Sequence, residues 1–316
     1  MSHAPIIVTP LFQDRIWGGT SLREQFGYEI PTETAGECWA VSAHPNGQSV
    51  VSAGKYAGKT LGQLWGEKRE LFGGVEGNTF PLLTKILDAN NDLSVQVHPN
   101  DEYANAHENG ELGKTECWYI IDCKEGADMI YGHYAASKED LVKMVNSGDW
   151  NSLLRRVKIK PGDFFYVPSG TIHALCEGTL VLETQQSSDT TYRVYDYDRT
   201  DDKGNKRELH LEKAIDVSTV PHVDGQNHPA VAKMKDVTIT TFVEEQYFTV
   251  YKWEVNGQAS FTQDQPFLIC SVIEGEGALV HEGESYPVPK GTHFILPAET
   301  GDFSISGQCD LIVSHI

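Results

Sequence analysis

Positive charge is what this sequence has least of. It sets 25 lysines and arginines against 45 acidic residues, a formal net charge of −20. Phosphate backbones and anionic membrane surfaces demand a basic footprint, so neither nucleic acid nor membrane is an expected partner. A small phosphorylated ligand stays open, because it needs only a local basic pocket. No apolar run approaches the length of a membrane span. The opening MSHAPIIVTPLF lacks a basic segment and a long apolar one, so no secretory leader is expected and a cytoplasmic location is. The six cysteines (Cys38, Cys117, Cys123, Cys176, Cys270 and Cys309) form no CxxC pair and no dense framework, which predicts reduced thiols. Hydrophobic residues make up 40% of the chain, with 29 glycines and 14 prolines, a composition for a soluble protein of short strands and turns.

Most of the 316 residues read as strands. RIWGG (15–19) and GECWAVSAHPNG (36–47) read as core plus turn. Leu61, Leu64, Trp65 and Leu71 give residues 59–72 a helical spacing, stopped by Gly73 and Gly74. FPLLTKIL (80–87) is an apolar strand interrupted by Lys85, and the polar stretch 101–114 is a lid or short helix. The best helical stretch runs from Ser137, a capping residue, to about Val157, with a break at 146–148. A second short helix is expected over 209–218, and 221–229 has linker composition. Short strands with turns every 8–12 residues or so predict a mainly β protein, a sandwich or barrel. The expected division is a catalytic domain over 1–230, including the helical segment near 137–157, and a second β domain over 236–316.

The stretch NDLSVQVHPND (91–101) carries the chemistry. Gln96 and His98 are two apart on a strand, so both side chains leave by one face. GDFFYVPSGTIH (162–173) has the spacing G-x5-P-x-G-x2-H, in which Pro168 and Gly170 shape a turn that delivers His173. That pattern is similar to the second signature of the cupin barrels, a double-sheet jelly roll. The first cupin signature supplies two histidines and a glutamate; here glutamine replaces the first histidine, and the glutamate arrives late, as Glu116. Gln96, His98, Glu116 and His173 make a nitrogen and oxygen donor set suited to Zn²⁺, with iron the competing choice on ligand chemistry alone. Cys117 adjoins Glu116 and should face the other way, into apolar core. A second, degenerate copy, GEGALVHEGESYPVPKGTHFILP (275–297), places Glu299 and Asp302 where the turn glycine and ligand histidine would fall. Neither His281 nor His293 occupies a ligand slot, so no second metal is expected.

In the order RIWGG, GECWAVSAHPNG, LSVQVHPND, GKTECWYI, VPSGTIHAL and YRVYDYDR, the chain resembles the type I mannose-6-phosphate isomerases of the short bacterial kind. That resemblance implies a bicupin with a small helical insertion and one zinc ion per chain held by Gln96, His98, Glu116 and His173. It implies reversible isomerisation of mannose 6-phosphate and fructose 6-phosphate through a cis-enediol(ate), and an active-site arginine at Arg193. Lys114 shares the face of Glu116 and is a candidate for a site role; Glu183 and a zinc-bound water are the other candidates for proton transfer. Lys85, Trp17 and Arg199 are candidate substrate-binding residues. The expected partner is a sugar phosphate, and the expected state a monomer or weak homo-oligomer. An iron dioxygenase and a non-catalytic sugar-binding module are the competing readings. Metal content with oxygen uptake separates out the first, and a coupled isomerase assay the second.

Overall fold

A computed structural model describes residues 3–201 and 203–316. The chain is mainly β. Two sheets face each other in its first two-thirds. The six-stranded sheet has the order Phe164–Val167, Glu116–Cys123, Thr179–Gln186, Leu82–Ala89, Ala35–Val41, Leu11–Gly19. The five-stranded sheet has the order Leu154–Lys158, Asp128–His133, His173–Leu175, Val95–Val97, Tyr192–Tyr195. Trp17, Leu87, Trp118, Met129, Leu175 and Val181 come from both sheets and form the core between them.

Strand alternation decides which side chains enter that space. Val95 and Val97 pack outward against Leu141, Val145 and Leu153 of the helices Lys138–Ser147 and Trp150–Leu153. Gln96, between them, therefore points inward. On the opposite sheet Cys117 and Tyr119 belong to a core shared with the C-terminal half, so Glu116 and Trp118 turn toward the five-stranded sheet. Cys117 is thus buried among apolar neighbours on the far side of Glu116, as expected.

Ser137 caps its helix by accepting from the Asp140 N–H, and Gly148 ends it in the left-handed conformation at φ 69°. The structure corrects the far end of that helical stretch. Helix stops at Leu153, and Leu154–Lys158 is a strand paired with Asp128–His133. LRRVK alternates buried and more exposed positions, and the neighbouring strand takes up its backbone groups. Likewise 59–72 divides into Leu61–Glu67, with a capping box at Thr60 and Gln63, and a short 3₁₀ turn over Arg69–Phe72.

The rest of the chain forms a nine-stranded antiparallel sheet with its own core around Trp253, Leu279, Phe294 and Leu311. Ile6–Thr9 pairs with His293–Pro297, and Val50–Val51 pairs with Ile6–Thr9, so residues from both sides of the 230/236 division share this sheet. His281 and His293 are buried there, hydrogen-bonded to the Thr300 carbonyl (2.9 Å) and to Ser271 Oγ (2.9 Å) and Tyr28 Oη (2.8 Å).

One glycine holds the ligand turn. Gly170 sits at φ 87°, its N–H donates to the His98 carbonyl (2.8 Å) and its carbonyl accepts from Thr219 N–H (2.9 Å). A Cβ there would lie 2.6 Å from Thr219 Oγ1 and 2.9 Å from the Val217 carbonyl. Gly170→Ala is expected to destabilise the protein by about 2–4 kcal/mol, from positive φ plus overlap with a fixed carbonyl. Urea unfolding measures this, and an unchanged midpoint would contradict it.

Candidate functional site

Register brings the polar residues into two rows. On the five-stranded sheet His173 is directly opposite Gln96, and Gln96 is opposite Arg193 on its other side. On the six-stranded sheet Trp118, Glu183, Lys85 and Trp39 are successive cross-strand neighbours. Glu116 and Glu37 precede Trp118 and Trp39 by two and share their face. The two rows look at each other across a cleft of about 470 Å³.

At its deep end His98, Glu116 and His173 converge, their ligand atoms within 4.8 Å of one another. His173 Nε2 is 3.2 Å from Glu116 Oε1, and His98 Nε2 is 3.4 Å from Oε2. Gln96 Nε2 is 3.5 Å from His173 Nε2, and a half-turn of the amide sets Oε1 in its place. Both imidazoles are oriented from behind. His98 Nδ1 contacts the Thr190 carbonyl (2.9 Å) and His173 Nδ1 the Thr171 carbonyl (2.8 Å). A carbonyl only accepts, so each Nδ1 carries the hydrogen and each Nε2 presents a lone pair. Burial, reinforced by Lys114, pushes His98 well below the usual histidine range, which keeps it neutral.

Both Glu116 oxygens are fully buried without a hydrogen bond, although Lys114 Nζ lies 3.2 Å from Oε2. Burial alone would raise this carboxyl; the Lys114 ammonium is the chief group that outweighs it and holds it well below the ordinary range. Lys114 Nζ lies 3.2 Å from both His98 Nε2 and Glu116 Oε2 and compensates that side, whereas Glu116 Oε1 faces the His173 Nε2 lone pair at 3.2 Å, a repulsive contact that a cation between them would relieve. The donor set of two nitrogens, a carboxylate and a carboxamide therefore fits a divalent ion of the zinc class.

Beside this centre runs a chain of alternating charges. Lys85 Nζ lies 3.8 Å from Glu37 Oε2 and 3.9 Å from Glu183 Oε1. Trp118 Nε1 donates to Glu183 Oε2 (2.9 Å) and Trp39 Nε1 to Glu37 Oε2 (2.6 Å). Arg15 grips Glu37 through Nε and Nη2, both at 3.0 Å. Burial and the nearby Glu116 charge raise the Glu183 carboxyl above its ordinary value. Burial would raise Glu37 too, but Lys85 and Arg15 bring it down to about 2.

The sign of the Glu37 shift gives a pH prediction. A depressed carboxyl stabilises the fold above its ordinary value of 4.5 and loses that contribution as pH falls toward about 2. The shift corresponds to about 3 kcal/mol at neutral pH. Glu37→Gln should therefore be less stable than the parent by about that much at pH 7, and the gap should close as the pH is taken below 4 or so. Urea melts across that range measure it; a gap independent of pH would overturn the assignment.

Of the sequence candidates, Gln96, Lys85, Trp17, Lys114, Glu183 and Arg193 line the cleft, above the buried His98, Glu116 and His173. Arg199 is not among the cleft-lining residues. Its guanidinium is held by Asp196 Oδ1 (2.6 Å) and the Asp92 carbonyl, and stacks toward Tyr197. Arg15, Glu37, Ser94, Asp189 and Arg207 line the cleft and were not anticipated. Glu37 lies in GECWAVSAHPNG, where a single glutamate inside an otherwise fully buried strand was the available signal.

Comparison with known proteins bears on this arrangement. The family "Phosphomannose isomerase type I, catalytic domain" matches residues 6–121, and "Mannose-6-phosphate isomerase, cupin domain" matches residues 238–316. The chain is 58% identical over 316 residues to the mannose-6-phosphate isomerase ManA of Bacillus subtilis, covering 100% of both chains. It is 52% identical over 311 residues to the mannose-6-phosphate isomerase of Streptococcus mutans, covering 98% of each. A crystal structure of the mannose 6-phosphate isomerase from Bacillus subtilis superposes with a TM-score of 0.98 at 64% identity, over 99% of this chain and 100% of that one. A mutant of phosphomannose isomerase from Salmonella typhimurium, at 18% identity, shares the fold with a TM-score of 0.80 over 99% of each chain.

Proposed function

Since this chain belongs to the type I mannose-6-phosphate isomerases and is one of these enzymes, we propose that it works with one zinc ion, through a cis-enediol(ate) of the sugar, on a bicupin scaffold. The observation that carries the metal reading is the buried Glu116 carboxylate, without a hydrogen bond, facing two oriented imidazole lone pairs. Gln96, His98, Glu116 and His173 would hold the ion. When bound, zinc supplies Lewis-acid charge that favours negative charge on the C1 and C2 oxygens of the sugar.

The protein's own groups do the rest. Glu183 moves the proton between C1 and C2. It lines the cleft, burial holds it above the usual carboxylate range, and the Trp118 N–H and Lys85 fix its orientation. Lys114 keeps a positive charge at the deep end, where oxygen charge develops; burial opposes that charge, but Glu116 and Glu183 raise its pKa. Arg193, cross-strand from Gln96, orients the open-chain sugar and adds charge. Trp17 supplies an apolar wall. Lys85 lies between two carboxylates and serves to hold Glu183 rather than the phosphate. With free cysteines and an acidic surface, the enzyme is read as cytoplasmic, a monomer or weak homo-oligomer.

A coupled assay of mannose 6-phosphate conversion tests this directly. Exhaustive chelation should abolish turnover and zinc should restore it. Glu183→Gln should keep its metal and lose roughly a hundredfold in kcat. Full activity after complete metal removal would sink the zinc reading; full activity in the glutamine variant would sink the role of Glu183.

A further inference from the structure

The cations lining the cleft differ in what already neutralises them. Arg15 is gripped by Glu37, Lys85 sits between Glu37 and Glu183, and Lys114 lies against Glu116. Arg193 has only neutral acceptors: Nε donates to Ser94 Oγ (3.2 Å) and Nη1 to the Glu208 carbonyl (2.9 Å). Arg207 meets Asp196 with Nε (2.8 Å) and Nη2 (2.5 Å), which leaves Nη1 unengaged. Asp196 is shared, because Arg199 Nη2 also donates to it at 2.6 Å. One carboxylate thus serves two guanidiniums, with a third, on Arg193, close by. Guanidiniums do not release their protons in a protein, so three positive charges meet the one Asp196 carboxylate, with the exposed Glu208 the other negative group beside Arg193, and a positive excess remains.

The positive pair of that cluster that lines the cleft, Arg193 and Arg207, stands in a protein with net charge −20. Depth separates it from the reacting end. The side chains of Lys85, Lys114 and Glu183 are 4–5% exposed, whereas that of Arg207 is 27% exposed, near the rim. The backbone ties the rim arginine to the floor. The chain leaves the strand Tyr192–Tyr195, turns over and returns, so that Arg193 Nη1 is bonded to the carbonyl of the residue next to Arg207. A partly hydrated dianion suits such a rim, and the rest of a phosphorylated sugar can then reach inward toward Arg193 and the metal ligands.

We infer that Arg207, fixed by Asp196, anchors the phosphate of the substrate through its free Nη1 and so sets the preference for phosphorylated over free sugar. This rests on the isomerase reading above. Arg207 holds the charged end of the substrate, while the deep groups act on C1 and C2. Its loss therefore removes binding that ground and transition states share.

The test uses the full-length zinc-loaded enzyme, with Arg207→Ala and Arg207→Lys. In steady-state kinetics, Arg207→Ala should raise KM for mannose 6-phosphate by about tenfold to a hundredfold while kcat falls by less than about fivefold. The lysine variant should recover part of the loss. Calorimetric titration with inorganic phosphate should show weakening by a similar factor in the alanine variant, independently of turnover. A KM and a phosphate affinity within twofold or so of the parent would overturn the inference. So would a loss confined to kcat, or a fall in thermal stability with phosphate affinity intact. A parent enzyme that binds phosphate but does not isomerise the sugar would refute the functional reading and leave the anchor standing.

Discussion

His173→Ala should cost the enzyme its metal and its turnover together. His173 is the proposed ligand that faces both Gln96 and Glu116, and the Thr171 carbonyl fixes its tautomer. Removing it leaves three donors and opens a space beside the buried Glu116 carboxylate, whose remaining neighbouring cation is Lys114. The expected loss of kcat/KM is roughly 10³-fold or more, with zinc per chain falling well below one after dialysis. Mass spectrometry of the dialysed variant, beside its circular dichroism, measures both. A variant that keeps its zinc and loses only rate would show that His173 acts as an acid or base and not as a ligand. An unfolded variant would be seen at once in the far-ultraviolet spectrum, and His173→Gln then supplies the same test with less lost volume.

Arg193→Ala should separate rate from metal. The Arg193 side chain lies beside Gln96 without touching the histidines, so zinc content and the unfolding midpoint should match the parent. Burial, together with the nearby Arg207, lowers its pKa, although a guanidinium remains charged throughout the working range. Arg193 lines the cleft and bonds only neutral acceptors there, so on the proposed role kcat should fall by roughly 10²–10³ and KM should rise as well. This contrasts with Arg207→Ala, where KM carries most of the change. A zinc-free Arg193→Ala protein would show that the residue supports the metal centre, and an unchanged kcat would remove it from the chemistry.

The convergence of His98, Glu116 and His173 was legible in the sequence because its logic is local. Two residues apart on a strand means one face, which joined Gln96 to His98, aligned Lys114 with Glu116, and turned Cys117 away. The Pro168 and Gly170 turn announced His173, and the structure shows why Gly170 is required, with positive φ and a carbonyl where a Cβ would go. The helix at Ser137 was legible for the same reason, since capping and periodicity act within a turn or two. Its end was less so: 154–158 becomes a strand because Asp128–His133 offers it an edge, and nothing within those five residues reveals that partner.

The cleft's charges were a different matter. Lys85, Lys114 and Arg199 were the cations the sequence offered to a phosphate, with nothing to rank them. The fold places Glu37 beside Lys85 from a strand far away in sequence, and it turns Arg199 to Asp196 and the Asp92 carbonyl. It also returns Arg207, from an unremarkable polar stretch, to the cleft wall. By itself, then, the sequence determined the strand-rich class, the candidate donor residues and the faces they share. Only the tertiary structure decided which cations are neutralised and which keep free donors in the cleft. Side-chain direction follows from a two-residue period, but charge compensation follows from cross-strand register and from where a loop comes back.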